Sequence, residues 1–171
     1  MSDPGLKPIE MAAIDGKSIT YTSAPLTQDA EVTGFPVVTL WVSSTAHDQD
    51  FFVYLEEVDE SGNSTLMTEG MIRASNRATR DAPYDNQGLP WHPSMARDQA
   101  PLEEGIPVKL DFGLFPMSNF IRKGHRIRIT VNNFDKGGWD TPQVVPPPTV
   151  GIFHDTKHPS SIRLPLIVSG R

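Results

Sequence analysis

Two stretches of the sequence combine serine with histidine, the residue types of a nucleophilic catalytic centre. One is Trp91-His92-Pro93-Ser94, and the other runs from His154-Asp155 to His158-Pro159-Ser160-Ser161. The partners of a catalytic triad are normally brought together by the fold rather than by adjacency in the chain. The Gly-x-Ser-x-Gly turn of an α/β-hydrolase does not occur. We therefore interpret these residues as turn caps, with Ser160 beginning the last strand, and expect no catalytic residue in this chain.

Metal ligation is the next chemistry to consider, because the sequence has five histidines but no cysteine. The histidines lack the i, i+4 helical spacing of zinc enzymes, and a thiolate site is excluded. The run His47-Asp48-Gln49-Asp50 carries the oxygen ligands that calcium prefers. Since calcium takes roughly six to eight oxygens, a solvated turn is the favoured interpretation. We expect neither a metal nor a cofactor.

The charge of the chain limits its partners. A formal net charge of -6 and a pI near 5.3 argue against nucleic acid, which is bound by a clustered excess of lysine and arginine. No apolar run approaches the length of a membrane span, so we expect no membrane partner. The first residues, Met1-Ser2-Asp3-Pro4-Gly5, lack the basic and apolar regions of a signal peptide. A cytoplasmic location is the expectation.

Two pairs of arginines could form a basic patch if their strands are neighbours. Arg73 and Arg77 flank the end of one predicted strand, whereas Arg126 and Arg128 share a face of another. Local ion pairing is the simpler interpretation for Arg73. An interdomain contact with an acidic surface is the alternative.

The elements that must position these residues are strands. In the segment Gly124-His125-Arg126-Ile127-Arg128-Ile129-Thr130-Val131, apolar and polar side chains alternate strictly, as in an antiparallel sheet with one wet face. His125 continues the apolar side, which predicts a hydrogen-bonded histidine at the core edge. Sixteen prolines and thirteen glycines punctuate the chain. The predicted strands are Ser18–Thr22, Asp29–Thr33, Val37–Ser43, Asp50–Val58, Leu66–Ser75, Ile106–Leu114, Arg126–Asn133, Val150–His154 and Ser161–Val168, with Asp59–Asn63 as a hairpin turn.

The pattern predicts an all-β sandwich with negligible helix. Residues 14–171 are expected to form one domain, and residues 1–13 an N-terminal tail or linker remnant. The Val37 strand is apolar on both faces, which predicts a central position. Side chains expected to face the core are Ile106, Val108, Leu110, Phe112, Ile127, Ile129, Val131, Ile162 and Leu164.

Two long connections escape the strand pattern, namely Arg77 to Pro101 and Asp135 to Pro148. Long irregular loops in a compact domain are usually functional or interfacial. The aromatic side chains on them are interpreted first as anchors and second as a sugar platform, and Trp41 is read in the same way. The candidate docking or ligand surface consists of Tyr84, Trp91, Met95 and Trp139.

A series of short motifs, taken in order, resembles a known family. The motifs are Tyr21-Thr22-Ser23-Ala24-Pro25-Leu26, Glu31-Val32-Thr33-Gly34-Phe35-Pro36, Asp50-Phe51-Phe52-Val53, Gly70-Met71-Ile72-Arg73-Ala74-Ser75, Leu114-Phe115-Pro116, Gly124-His125-Arg126-Ile127-Arg128 and His158-Pro159-Ser160. Together they resemble the C-terminal domain of the X-Pro dipeptidyl-peptidase and cocaine esterase-like (CocE/NonD) serine hydrolases. The resemblance covers about Ile14 to Val168.

The resemblance implies a jelly-roll β-sandwich similar to galactose-binding domains. In that family the module follows an α/β-hydrolase domain that carries the catalytic serine, aspartate and histidine, and that domain is missing here, so no catalytic residue is carried over. The implied role is to pack on an α/β-hydrolase domain, in cis or in trans, wall its substrate cleft and sometimes support a homo-oligomer. The chain is either a piece of a larger hydrolase or a free-standing product. The alternative function is a stand-alone carbohydrate- or ligand-binding module.

Overall fold

The computed structural model describes residues 9–134 and 144–168, which form eleven strands, one four-residue helix and two 3₁₀ turns. Their order is α1 (Ala12–Asp15), β1 (Ile19–Thr22), β2 (Ala30–Gly34), β3 (Val37–Ser44), β4 (Asp50–Val58), β5 (Ser64–Arg73), β6 (Val108–Gly113), β7 (Met117–Ile121), β8 (Arg126–Asn132), β9 (Val150–Phe153), β10 (Ser161–Arg163) and β11 (Leu166–Val168). The 3₁₀ turns are Ala74–Asn76 and Ala96–Asp98.

All strand pairs between these elements are antiparallel, and they build two layers. The first layer is a sheet in the order β1-β8-β4-β5. The second has β3 at its centre, with β6 on one edge and β9 and β10 sharing the other. The chain crosses from one layer to the other after β1, β3, β5, β7 and β8, which is jelly-roll connectivity. The prediction of an all-β sandwich is confirmed.

Prolines divide the second layer into two parts. A three-stranded sheet in the order β11-β2-β7 continues the order β10-β3-β6 strand for strand. The break falls at Pro36 between β2 and β3, at Pro116 between β6 and β7, and at Pro165 between β10 and β11. Proline has no N–H for the ladder. The single strand predicted over Ser161–Val168 is therefore two strands, and β7 was missed because it follows Pro116.

The apolar core lies between the layers and follows the predicted alternation closely. Leu110, Phe112 and Val131 are buried in it. The partly buried side chains that pack against it include Val108, Ile127, Ile129, Ile162 and Leu164. Ile106 was predicted to face the core, but its side chain is 53% exposed. It lies in the turn before β6, where its N–H donates to the carbonyl of Glu103.

A second apolar cluster covers the outer face of the first sheet. Met11 is completely buried against Phe52 and Tyr54 of β4. Ile14 of α1 packs on the same cluster. The backbone of residues 9–11 is also bonded to β5, through the N–H of Met11 and the carbonyl of Ile9. The tail predicted to end at residue 13 thus includes packed residues.

A buried carboxylate lies on this covered face. The Glu56 side chain is completely buried, and its Oε2 accepts a hydrogen bond from Ser64. Its Oε1 has no partner within residues 9–134 and 144–168. Nearby, Asp15 accepts from Arg128 at 2.6 Å and from Thr130 at 2.9 Å. Burial, outweighing the bond from Ser64, raises the pKa of Glu56 above its ordinary value of 4.5. The native state therefore holds this proton more firmly than the unfolded state does.

Replacing Glu56 by glutamine is expected to remove a pH dependence of stability. Because the pKa of Glu56 is raised in the native state, its protonation stabilises the fold at pH values below the ordinary pKa of 4.5. This contribution is lost as the pH rises through the raised native pKa. Urea unfolding from pH 4 to pH 8 should show a smaller fall in the free energy of unfolding for Glu56→Gln than for the parent chain. Glu104→Gln, at an exposed position, is the matched control. Parallel curves for parent and Glu56→Gln would contradict the assignment.

The two layers are in close contact where β5 meets the end of β6. A Cβ atom on Gly70 would lie 2.8 Å from Cδ2 of Leu114 and 2.9 Å from the carbonyl oxygen of Gly113. The same edge is joined by hydrogen bonds from the Phe115 N–H to the Glu69 carbonyl and from the Thr68 hydroxyl to the Phe115 carbonyl, both 2.9 Å. Only glycine fits at position 70 without displacing backbone.

Gly70→Ala is expected to destabilise the domain by about 1 to 3 kcal/mol, the usual cost of overpacking a core. Gly113→Ala provides the control, because the nearest atom to its added Cβ is 4.0 Å away. Equilibrium urea unfolding measures both. Equal stability of the two variants would show that the layers are not in contact at this edge.

Candidate functional site

The long connection of residues 77–101 is attached to the sandwich through His92. Its Nδ1 lies 2.9 Å from the carbonyl oxygen of Asn76 and 3.2 Å from that of Ala78. Its Nε2 lies 2.8 Å from the carbonyl oxygen of Asp111 in β6. One imidazole thus joins the beginning of the connection to the second sheet.

Two arginines join parts of this connection that are distant in sequence. Arg77 donates to the carbonyl oxygens of Ala74 and Ala100, which stand at its two ends. Arg80 pairs with Asp98, and its backbone N–H donates to the carbonyl of Trp91 at 3.1 Å. We call residues 77–101 the stapled loop, because these bonds hold its backbone in place. Its exposed side chains are therefore presented from an ordered backbone.

The predicted docking residues differ in their exposure to solvent. Tyr84 is 62% exposed and Met95 is 46% exposed, whereas Trp91 is half-buried. Trp139 lies outside the described residues. The docking surface itself therefore stays a prediction.

Half-buried Trp91 lines a polar groove of about 690 Å³ between the loop and the second sheet. Arg80 and Asp81 reach it from the loop, and Asp111 and Arg163 reach it from β6 and β10. Asp111 accepts from Lys109 at 2.7 Å and from Thr39 at 2.6 Å. Arg163, in contrast, is exposed and makes no hydrogen bond or ion pair within the described part of the chain. The groove combines an aromatic ring with charges of both signs.

Sequence reasoning missed the charged residues of this groove. Asp111 and Arg163 occupy the wet positions of two predicted strands, where charged side chains are ordinary. Their convergence depends on β6 and β10 both flanking β3, which no local pattern reveals.

The sequence of this chain is similar to that of a known domain family. The family described as the X-Pro dipeptidyl-peptidase C-terminal non-catalytic domain matches residues 12–162. The chain belongs to this family. A Mycobacterium tuberculosis protein assigned as a serine esterase is 42% identical over 158 residues, which are 91% of this chain and 25% of that protein. The cocaine esterase of a Rhodococcus strain is 28% identical over 161 residues, which are 87% of this chain and 25% of the esterase.

Solved structures show the same fold at low sequence identity. A Staphylococcus aureus CocE/NonD family hydrolase matches with a TM-score of 0.75 at 19% identity, over 88% of this chain and 30% of that one. An α-amino acid ester hydrolase matches with a TM-score of 0.70 at 20% identity, over 94% of this chain and 27% of that one. The chain spans about a quarter of the length of the curated relatives. The suspected relation to C-terminal domains of CocE/NonD hydrolases is confirmed.

Membership of a non-catalytic domain family agrees with the position of Ser160. Its hydroxyl donates to the carbonyl of Phe153 and accepts from the Trp41 N–H at 2.9 Å, so it joins β3 to the turn before β10. His158 stacks edge-on to Trp41 with ring centroids 5.0 Å apart. Its side-chain hydrogen bond lowers the pKa of Asp155. These residues brace a turn, as the sequence indicated.

The run His47-Asp48-Gln49-Asp50 is engaged by protein groups rather than forming a solvated turn. Asp50 is buried and accepts two hydrogen bonds from Arg73, at 2.8 and 2.9 Å. Asp48 accepts the N–H groups of Gln49 and Ser75. No cluster of three or more metal-ligating side chains occurs in residues 9–134 and 144–168. None of the helices there has the length and apolarity needed to cross a membrane.

The predicted basic patch of arginines does not form. Arg73 pairs in register with Asp50 at one end of β4, whereas Arg126 pairs with Val58 at the other end. The ion pair predicted for Arg73 is present, with Asp50 as its partner. Arg128 instead binds Asp15 of α1. His125 is half-buried and bonds Glu57 at 2.6 Å, as expected for the core edge.

His92→Ala is expected to loosen the stapled loop. Loss of its bonds leaves carbonyl groups without a donor, which should cost about 1 to 3 kcal/mol in the free energy of unfolding. Trypsin should then cleave faster after Arg97, which is exposed within the loop. Ser94→Ala, an exposed neighbour, is the control. Unchanged cleavage and stability in His92→Ala would show that the loop is held by other contacts.

Proposed function

We propose that this chain is a docking domain that packs on an α/β-hydrolase domain and walls part of its substrate cleft. The observation that carries the proposal is the stapled loop of residues 77–101, which presents Tyr84 and Met95 to solvent. Family membership supports the general role, because the family is described as a non-catalytic C-terminal domain. We infer the contact surface and the contribution to the cleft from the loop.

The energetics of association favour such a loop. Side chains on fixed backbone lose little conformational entropy when they bind, so more of the contact energy appears as affinity. Tyrosine is enriched among the residues that dominate binding energy, and methionine adapts to irregular apolar surfaces. Tyr84 and Met95 fit this role because both are exposed on a loop closed by Arg77, Arg80 and His92. Without a hydrolase domain, the same side chains are the candidates for self-association into a homo-oligomer.

The polar groove supports a second function, binding of a carbohydrate. Trp91 lines the groove beside Asp81, Asp111 and Arg163. Sugars are held by an aromatic surface together with polar groups that hydrogen-bond their hydroxyls. Arg163 is exposed and has no partner among the described residues, so it is available to a ligand. A stand-alone ligand-binding module would use this groove in place of the loop tip.

Docking is tested with the remaining three quarters of the Mycobacterium tuberculosis relative, expressed without the segment that matches this chain. Titration calorimetry should give a saturable complex with the 171-residue chain. Tyr84→Ala should weaken it about tenfold or more, as expected for a tyrosine at the centre of an interface. Met95→Ala, Trp91→Ala and Trp139→Ala extend the series to the other residues of the candidate surface.

Phe120→Ala is the matched control, because Phe120 is 57% exposed but lies on β7, away from the loop. Docking through the loop is rejected if no heat of binding appears at high micromolar concentrations, or if Tyr84→Ala and Phe120→Ala bind alike. Saturable binding of an oligosaccharide that is lost in Trp91→Ala and Arg163→Ala would favour the carbohydrate function.

A further inference from the structure

A cavity of about 330 Å³ lies between the two layers of the sandwich. Its walls come from strands of both layers and are mainly aliphatic. The aliphatic side chains that line it are Val38, Leu40, Val53, Ile129, Val131, Ile152 and Ile162. No residue of the 77–101 loop lines it, so the cavity is separate from the proposed docking surface.

The polar groups around the cavity are of two kinds. Thr39 and Ser160 already have hydrogen-bond partners, since their hydroxyls donate to Asp111 and to the carbonyl of Phe153, respectively. Tyr21, His154 and Ser161, which are exposed at the edge formed by β1, β9 and β10, make no side-chain hydrogen bond among the described residues. The rings of Tyr21 and His154 meet edge to face at 6.3 Å. The polar side chains that have no hydrogen-bond partner among the described residues therefore lie at the solvent-exposed opening of the cavity, and the interior of the cavity is apolar.

A void of this size is unusual in a packed domain. Protein interiors are filled nearly as densely as organic crystals, so a large cavity forfeits dispersion contacts along its lining. Apolar cavities stay dry and accept apolar molecules, as a cavity of about 150 Å³ accepts benzene. Ligand sites typically begin at about 300 Å³ and combine an apolar lining with a few polar groups that fix orientation. The pocket has the volume and the lining of such a ligand site.

We propose that this cavity binds a small amphiphile, with a compact apolar body between the sheets and one hydrogen-bonding head group at Tyr21 and His154. The volume suits roughly six to twelve carbon atoms, by comparison with the smaller cavity that holds benzene. Medium-chain carboxylic acids and their amides have this chemistry. Binding at this site requires no hydrolase domain.

The test uses the 171-residue chain with octanoate, octanamide and hexanoate, followed by nitrogen-15 NMR shifts and by the melting temperature. Octanoate and octanamide should shift amides of β3, β8 and β10 saturably and raise the melting temperature. Hexanoate should bind about fifteenfold more weakly, because each buried methylene is worth about a factor of four. Tyr21→Phe should weaken octanoate binding about three- to tenfold through loss of one hydrogen bond.

Ile162→Trp, from the half-buried edge strand β10, should fill the cavity and abolish binding. Ile167→Trp is its control, because Ile167 is exposed on β11 and does not line the cavity. Absence of saturable shifts up to millimolar octanoate overturns the proposal, as does equal affinity for octanoate and hexanoate. Should Ile162→Trp fail to fold, unchanged affinity in Tyr21→Phe overturns the assignment of the head-group site.

Discussion

Burial of strand β4 on both faces is the constraint on which the other parts of this domain depend. Phe51, Val53 and Leu55 point into the core between the layers. Phe52 and Tyr54 point the other way and are covered by the N-terminal segment that contains Met11. A strand of this kind requires partners on both edges, which β5 and β8 provide. Its buried polar side chains depend on hydrogen bonds from within the protein, since water cannot reach them.

The polar residues of β4 explain how the sheet is connected to the loop. Asp50, at the start of the strand, is buried and held by two hydrogen bonds from Arg73. Arg73 ends β5, and the chain then turns through Ala74–Asn76 into the stapled loop. His92 and Arg77 hold that loop to the same turn. The loop that carries the exposed Tyr84 is thus attached beside the Asp50–Arg73 ion pair at the start of β4.

Much of the sandwich could be predicted from the sequence because alternation is a local property. The pattern around Ile127, Ile129 and Val131 is complete within one strand, and the predicted face packs on the core. Ile106 shows the limit, because its apolar character continued the pattern of β6 although a turn precedes the strand. The groove formed by Asp111 and Arg163 could not be predicted, because it depends on which strands flank β3. The same holds for the cavity, which is a property of the distance between two layers and not of any single strand.

Three of the serine and histidine residues that first suggest catalysis, His92, His158 and Ser160, have structural tasks here. Ser160 bridges β3 and the turn before β10, and His92 fastens the loop to β6. Membership of a non-catalytic domain family is consistent with these uses. The function proposed for the chain accordingly rests on surfaces rather than on reactive groups.

Hydrogen–deuterium exchange of this chain, with and without the remaining three quarters of the Mycobacterium tuberculosis relative, tests docking through the loop most directly. The account predicts that amides of residues 77–101 exchange more slowly in the mixture, while those of β11, β2 and β7 are unchanged. Protection confined to β11, β2 and β7, or no protection of residues 77–101 at saturating partner, would contradict it.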